Sequence, residues 1–189
     1  MSVVYNAQLS PTKDELIAEW IAQQPWFEGD ASSLEKAAGF RWDDPAGAVG
    51  MEHIIVRDGS GKHYLVPLSY RGLELDGGRL ITRMEHSVLG TRYVYEAESD
   101  PVYRHAARDA VRKGEPQSVV ELHEGEDVSV QEPTMDVEVI GGPGDLHHDE
   151  IGDSEISVNY TLDPSVTAET GVRGTWPGQD EPVVLVTVK

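Results

Sequence analysis

Hydrophobic residues change their spacing several times along the chain, and each change predicts a different element. Apolar and polar residues alternate over residues 3–8, which predicts a short opening strand. Helical spacing follows: Thr12 and Glu15 have the separation of a capping box, and Pro25 ends the segment. The apolar stripe of this first helix consists of Leu16, Ile17, Trp20 and Ile21. We expect the stripe to face a second layer of the protein.

A period of two dominates residues 40–98 and predicts an antiparallel meander. Residues 51–57 form the first clear strand of this region. The next strand projects these apolar side chains from one face: Tyr64, Val66, Leu68 and Tyr70. Pro67 lies inside that strand and cannot donate a ladder hydrogen bond, so we expect an edge strand or a bulge there. Two further strands are predicted at residues 80–86 and 92–96.

A second helix is predicted from the N-cap Asp100 and the following Pro101 to Gly114. Three arginines on this helix, Arg104, Arg108 and Arg112, are spaced four residues apart and form a cationic row on one exposed face. One interpretation is a solvated surface that also pairs with the acidic C-terminal half of the chain. The other is a docking strip for an acidic partner or a phosphorylated ligand.

Beyond Gly114 the pattern predicts strands again, at residues 118–122, 135–140, 156–162 and 172–176 and at the C-terminal end. Helices and antiparallel strands in this order predict an α+β fold. We expect residues 1–115 to form an α+β region and residues 116–189 an acidic, β-rich extension packed on it, together making one continuous domain.

Charge and cysteine content narrow the function classes. The 189 residues carry a net charge of −19, and residues 115–189 hold 17 acidic residues but only two basic ones. This charge argues against binding nucleic acid or an anionic membrane face. The absence of cysteine excludes disulfides and thiolate metal sites, and no apolar run is long enough to span a bilayer. We expect a cytoplasmic protein without a cofactor.

Candidate catalytic chemistry is confined to two places. His147, His148 and Asp149 could contribute metal ligands, and His147 and Asp149 also match the H-x-D of a phosphotransferase loop. The asparagine that such a loop requires five residues after Asp149 is replaced by Ser154. His86 and Ser87 do not lie in a nucleophile elbow, so we interpret them as structural.

Three stretches together resemble a known family: "WIAQQPWFEGD" (residues 20–30), "HYLVPLSYRG" (residues 63–72) and "MEHSVLGTRYVYEAESDPVY" (residues 84–103). They are similar to the N-terminal cap domain of actinobacterial maltokinases and the related glucosamine kinases. The similarity is closer still to short standalone proteins that carry a cap-like domain. It covers roughly residues 12–115.

The resemblance implies a curved antiparallel sheet with two helices on one face, a cystatin-like layer, which the C-terminal antiparallel β layer would extend. In the kinases the cap packs against the nucleotide-binding lobe, and the catalytic residues lie in the kinase body. The resemblance therefore implies no catalytic residue and no cofactor in this chain. Residues 116–189 depart from a kinase lobe.

Our leading hypothesis is a non-catalytic binding or regulatory module in maltose, trehalose or α-glucan metabolism, which docks onto a separately encoded kinase or α-glucan enzyme. We expect the contact surface to include Arg104, Arg108, Arg112, Trp26 and Tyr70. One alternative is a sugar phosphotransferase or a metal-dependent hydrolase that uses His147, His148 and Asp149. Another is a carbohydrate-binding module for α-glucans.

Overall fold

The computed structural model describes residues 1–141 and 155–189, and these residues form two α-helices and three β-sheets. The helices are α1 (Lys13–Ile21) and α2 (Pro101–Lys113). The strands, in chain order, are β1 (Ser2–Tyr5), β2 (Leu9–Ser10), β3 (Glu35–Trp42), β4 (Val49–Arg57), β5 (His63–Arg71), β6 (Leu80–His86), β7 (Gly90–Glu96), β8 (Val120–Glu124), β9 (Asp127–Gln131), β10 (Asp136–Ile140), β11 (Ile156–Val158), β12 (Thr161–Leu162), β13 (Gly171–Trp176) and β14 (Gln179–Val188).

The largest sheet is a curled antiparallel sheet of seven strands in the order β2-β6-β7-β5-β4-β3, with the short β12 beside β5. A four-stranded antiparallel sheet, β10-β13-β14-β11, forms the C-terminal layer. The third sheet has the order β1-β8-β9, and its β1 and β8 run parallel. The structure confirms the α+β class and the antiparallel sheet that the sequence predicts.

Both helices begin where the sequence predicts, because a side chain caps each of them. In α1, the hydroxyl of Thr12 accepts from the Glu15 N–H at 3.3 Å, and the Glu15 carboxylate accepts from the Thr12 N–H at 2.8 Å. In α2, the Asp100 carboxylate accepts from the Val102 N–H at 2.9 Å. Gly114 ends α2 with φ of +69°, a conformation that glycine adopts without strain.

The two helices pack on opposite faces of the seven-stranded sheet, which differs from the expected shared face. The apolar side of α1 packs on Ile54 and Val66, whereas α2 packs over Ile55 and Leu65. Neighbouring residues of a strand point to opposite faces, so the two helices are separated by the sheet. The C-terminal sheet covers α2 and its side of the seven-stranded sheet, and α1 buries the apolar residues of the other side.

Strand β5 is an inner strand, so the expectation of an edge strand or a bulge at Pro67 is wrong. One side of β5 pairs with β4 along its whole length without a register shift. The other side pairs with β12 at Tyr64 and with β7 from Leu68 onward. The Leu65 N–H donates to the Tyr160 carbonyl on this side of β5. Residues two apart in a strand direct their backbone nitrogens to the same side, so the nitrogen of Pro67 also faces this side, in the gap between β12 and β7. The fold accommodates proline there without losing a ladder bond.

Residues from both predicted regions share one core between α2 and the C-terminal sheet. Phe40, Met51 and Val111 from the N-terminal region pack in the same cluster as Val172 and Leu185. We therefore propose that residues 1–115 and 116–189 form one continuous domain. Neither described helix is long and apolar enough to cross a membrane.

Candidate functional site

A pocket of about 480 Å³ lies on the α1 side of the seven-stranded sheet, beside the first residue of α1. Strand β1 and the turn that joins β3 to β4 form its walls. Its polar lining comes from separate strands: Arg41 on β3, Glu52 on β4, Tyr70 on β5, His86 on β6 and Arg92 on β7. Facing residues of neighbouring antiparallel strands share a face of the sheet, which explains how residues far apart in sequence converge here.

Glu52 is the buried centre of this pocket, with a side chain only 8% exposed. Its carboxylate accepts from Lys13 Nζ at 2.6 Å and from the Tyr70 hydroxyl at 3.1 Å, and it pairs with Arg41 Nη1 at 3.3 Å. Burial alone would raise the pKa of Glu52, but Arg41 and Lys13 together hold it well below its usual range. Lys36 Nζ lies 4.0 Å from the same carboxylate, so Glu52 is a permanently charged anchor for three cations.

Arg92 on β7 and His86 on β6 form the end of the lining that lies farthest from β3. His86 Nδ1 accepts from the backbone N–H groups of Val88 at 3.2 Å and Leu89 at 3.1 Å, so the proton of the neutral ring is on Nε2. Burial and the nearby Arg92 lower the pKa of His86. Gly72 leaves room for Arg92, because a Cβ at Gly72 would lie 2.7 Å from Arg92 Nη1.

The other carboxylates of the lining are already bound within the fold. Asp44 accepts from three backbone N–H groups at 2.9–3.0 Å, those of residues 46, 48 and 49. Asp43 pairs with the amino group of Met1 at 2.7 Å. Of the basic side chains that line the pocket, Arg92 and His86 are therefore the two that have no carboxylate partner among the described residues, whereas Lys13 and Arg41 pair with Glu52.

Two of the stretches that carry the family resemblance meet at a buried ion pair. Arg71, which follows "VPLSY", donates through Nε at 2.7 Å and Nη2 at 2.6 Å to the carboxylate of Asp100, which begins "DPVY". Asp100 is fully buried and Arg71 is 20% exposed. From the same helix start, the Tyr103 hydroxyl lies 3.1 Å from His53 Nε2. This contact connects α2 to the centre of the sheet.

Residues 20–100 match the family model of the maltokinase N-terminal cap domain. The match confirms the family resemblance for this segment, which runs from Trp20 in α1 to the cap residue of α2. No curated protein sequence matches the chain. The cap segment, residues 20–100, includes most of the pocket floor and both members of the Arg71–Asp100 pair.

The five residues predicted to contact a partner do not lie on one surface. Arg104, Arg108 and Arg112 are half-buried on α2, and Arg112 donates to Asp109 of its own helix at 2.8 Å. The other two, Trp26 and Tyr70, belong to the cap segment and lie on the α1 side of the sheet.

Trp26 packs within an aromatic cluster. Its ring stacks on Tyr160 at 5.0 Å between centroids and contacts Trp20 and Tyr64. Tyr70 lines the pocket, where its hydroxyl is bound to Glu52. Sequence reasoning missed Glu52 and Arg92, because the strands that bring them into one pocket are distant in sequence and no local motif marks them.

The candidate metal ligands His147, His148 and Asp149 lie outside the described residues. Within residues 1–141 and 155–189, no group of three histidine or carboxylate side chains is arranged to hold a metal ion. Ser87 exchanges bonds with the backbone of Gln8: its hydroxyl accepts from the Gln8 N–H at 2.9 Å, and its N–H donates to the Gln8 carbonyl at 3.0 Å. These bonds agree with a structural role for Ser87.

Proposed function

We propose that the protein is a non-catalytic binding or regulatory module that docks onto a separately encoded kinase or α-glucan enzyme of maltose, trehalose or α-glucan metabolism. The observation that carries the proposal is the match of residues 20–100 to a domain described as the N-terminal cap of maltokinase. A cap is one part of a larger enzyme, and the resemblance implies that the catalytic residues lie outside it.

The ionisation of the buried groups favours binding over proton transfer. A general acid or base works best when its pKa is near the working pH. Arg41, Lys13 and Lys36 hold the pKa of Glu52 far below that range. Burial lowers the pKa of His53 to about 3, and its ring stacks on Phe40 at 3.9 Å between centroids. Both groups are therefore fixed in one protonation state, as structural and binding residues are.

The cationic row on α2 remains the proposed contact for an acidic partner surface. Arg104 and Arg112 keep part of their surface accessible, and α2 is rigid because its start is bound to β5 through Asp100. A rigid helix loses little conformational entropy when it docks, which favours complex formation.

The β1-β8-β9 sheet offers a second exposed surface. Val3, Val128 and Val130 lie on one of its faces and are 43%, 54% and 64% exposed, respectively. No described strand pairs with the outer edge of β9. Exposed apolar side chains beside an open strand edge are a common feature of contact surfaces. The binding experiment must therefore distinguish contact through this face from contact through α2.

Sedimentation velocity of the purified chain with purified maltokinase tests the proposal. We expect a complex that Arg104→Glu combined with Arg112→Glu weakens strongly. The matched control, Arg57→Glu combined with Lys62→Glu, reverses two exposed charges elsewhere and should leave the complex intact. Hydrogen exchange in the complex then locates the contact, on α2 or on β9.

Two other results would contradict the proposal. Turnover of ATP with maltose, trehalose or glucosamine by the chain alone, lost in His147→Ala and Asp149→Ala, would establish the enzyme hypothesis. Retention on glycogen or amylose resin without binding to a kinase or glucan enzyme would establish a carbohydrate-binding module.

A further inference from the structure

We propose that the pocket beside α1 binds a small anionic ligand, one that carries a phosphate monoester or a carboxylate. This inference goes beyond the proposed docking function and concerns the isolated chain. It rests on which charged groups line the pocket, which of them are already paired, and how much space lies between them.

The cations of the pocket are unusual in so acidic a protein. The chain has 34 acidic and 15 basic residues, yet Lys13, Arg41 and Arg92 line the same pocket. Glu52 pairs with the first two. Arg92 has no carboxylate within ion-pair distance among residues 1–141 and 155–189, and its guanidinium donates to the Thr91 carbonyl at 3.3 Å. A ligand anion would supply the missing charge.

Two further donors belong to side chains that line the pocket, one near Arg92 on the adjacent strand β6 and one on β3 at the other end of the lining. The tautomer of His86 leaves its Nε2–H available to an acceptor. The Nε of Arg41 is buried, and it has no hydrogen-bond partner in the described part of the chain. A buried donor without an acceptor is unfavourable, so the site gains free energy when an acceptor arrives. Donors that outnumber free acceptors select an anion rather than a cation.

The shape of the pocket sets the size of the ligand. Its volume of about 480 Å³ suits a molecule of a few to some twenty heavy atoms. Gly72 leaves room for the Arg92 side chain at the pocket, because a Cβ there would lie 2.7 Å from Arg92 Nη1. The net charge of −19 opposes binding of a long polyanion. A compact anion therefore fits best.

Isothermal titration with three ligands that share one sugar ring tests the inference: glucose 6-phosphate, glucuronate and neutral glucose. We expect one or both charged ligands to bind and glucose not to bind. Preference for glucose 6-phosphate assigns a phosphate site, and preference for glucuronate assigns a carboxylate site. Binding should weaken as salt concentration rises, because the attraction is electrostatic.

Variants then locate the site. Arg92→Gln should weaken binding about tenfold or more, because it removes a charge-assisted hydrogen bond. Arg92→Lys should retain part of the affinity. Arg83→Gln is the matched control: Arg83 precedes Met84, which lines the pocket, so its side chain points to the opposite face of the sheet, and it pairs with Glu74. Thermal melting of each variant checks that it is folded.

The proposal is overturned if glucose binds as tightly as the charged ligands, if none of the three binds, or if folded Arg92→Gln binds like the wild type. Because only the isolated chain is titrated, failure here leaves the kinase-docking proposal untouched. Failure of kinase docking likewise does not alter the titration.

Discussion

Replacing Asp100 with alanine removes two interactions that the fold uses at once. The Asp100 carboxylate caps α2 through the Val102 N–H, and it binds Arg71 on β5 through two hydrogen bonds. Burial would raise the pKa of Asp100, but the bonds from Arg71 and Val102 lower it below its usual value. Asp100 is therefore ionised near neutral pH and connects the cap segment to α2.

The expected loss of stability follows from these contacts. Loss of an N-cap costs about 1 kcal/mol. Breaking a buried ion pair by removing one partner costs about 3–5 kcal/mol, and we take the lower half because Arg71 is 20% exposed. The total of about 4–5 kcal/mol is a large part of the roughly 5–15 kcal/mol that stabilises a typical domain. For a chain of this length it lowers the melting temperature by about 8–20 °C.

Urea denaturation followed by circular dichroism measures this change. The matched control is Glu74→Ala, which breaks the exposed Arg83–Glu74 pair, whose side chains are 62% and 60% accessible. We expect the control to lose less than about 1 kcal/mol. If Asp100→Ala is no more destabilised than Glu74→Ala, the Arg71–Asp100 pair does not hold α2 on the sheet and our account of this junction is wrong.

Three further substitutions test the interior. Folding lowers the pKa of His53 from 6.5 to about 3, so only the unfolded state gains a proton as the pH falls below about 6.5. Between about pH 6 and pH 5, the free energy of unfolding of the wild type should therefore fall by about 1 kcal/mol more than that of His53→Gln. The control His105→Gln, at an exposed site, should show the same pH dependence as the wild type. Gly171→Ala should destabilise far more than Gly125→Ala in chemical denaturation, because a Cβ at Gly171 would lie 2.1 Å from the Val186 carbonyl whereas Gly125 has open space. Trp26→Ala should reduce the free energy of unfolding by about 3 kcal/mol, as expected for a packed aromatic side chain. An unchanged free energy of unfolding would instead favour the predicted role of Trp26 in contacting a partner.

Local sequence patterns predicted the parts of the fold that local physics determines. The capping box of Thr12 and Glu15 fixed the start of α1, and Asp100 and Gly114 fixed the ends of α2. Alternation predicted most strands, including the C-terminal layer. The cap resemblance rested on short stretches whose residues make specific contacts, such as Arg71 with Asp100.

Contacts between distant segments were not predictable from one sequence. The parallel pairing of β1 with β8 joins Ser2 to Val120, and neither strand carries a signal for the other. The placement of α1 and α2 on opposite faces depends on where the C-terminal sheet packs. The candidate pocket was missed for the same reason: Glu52 and Arg92 gain their roles only when five strands, β6-β7-β5-β4-β3, lie side by side.

The arginine row shows the limit of a surface inferred from helical spacing alone. Spacing predicts the three arginines on one exposed face of α2, whereas all three are half-buried. It also does not reveal that Asp109 competes for Arg112 or that the helix is packed between sheets. Charge that is already paired contributes less to docking than free charge. Because Arg112 is already paired with Asp109, the binding experiment reverses the charge of Arg104 together with that of Arg112.

The central claim is that this chain recognises a protein of α-glucan metabolism and performs no chemistry itself. The most direct test is a calorimetric titration of the chain into purified maltokinase, in which heat of association reports the complex and not turnover. Our account predicts saturable binding that the Arg104→Glu and Arg112→Glu double variant weakens strongly while the melting temperature is retained. Absence of binding together with phosphate transfer from ATP to a sugar by the chain alone would contradict it.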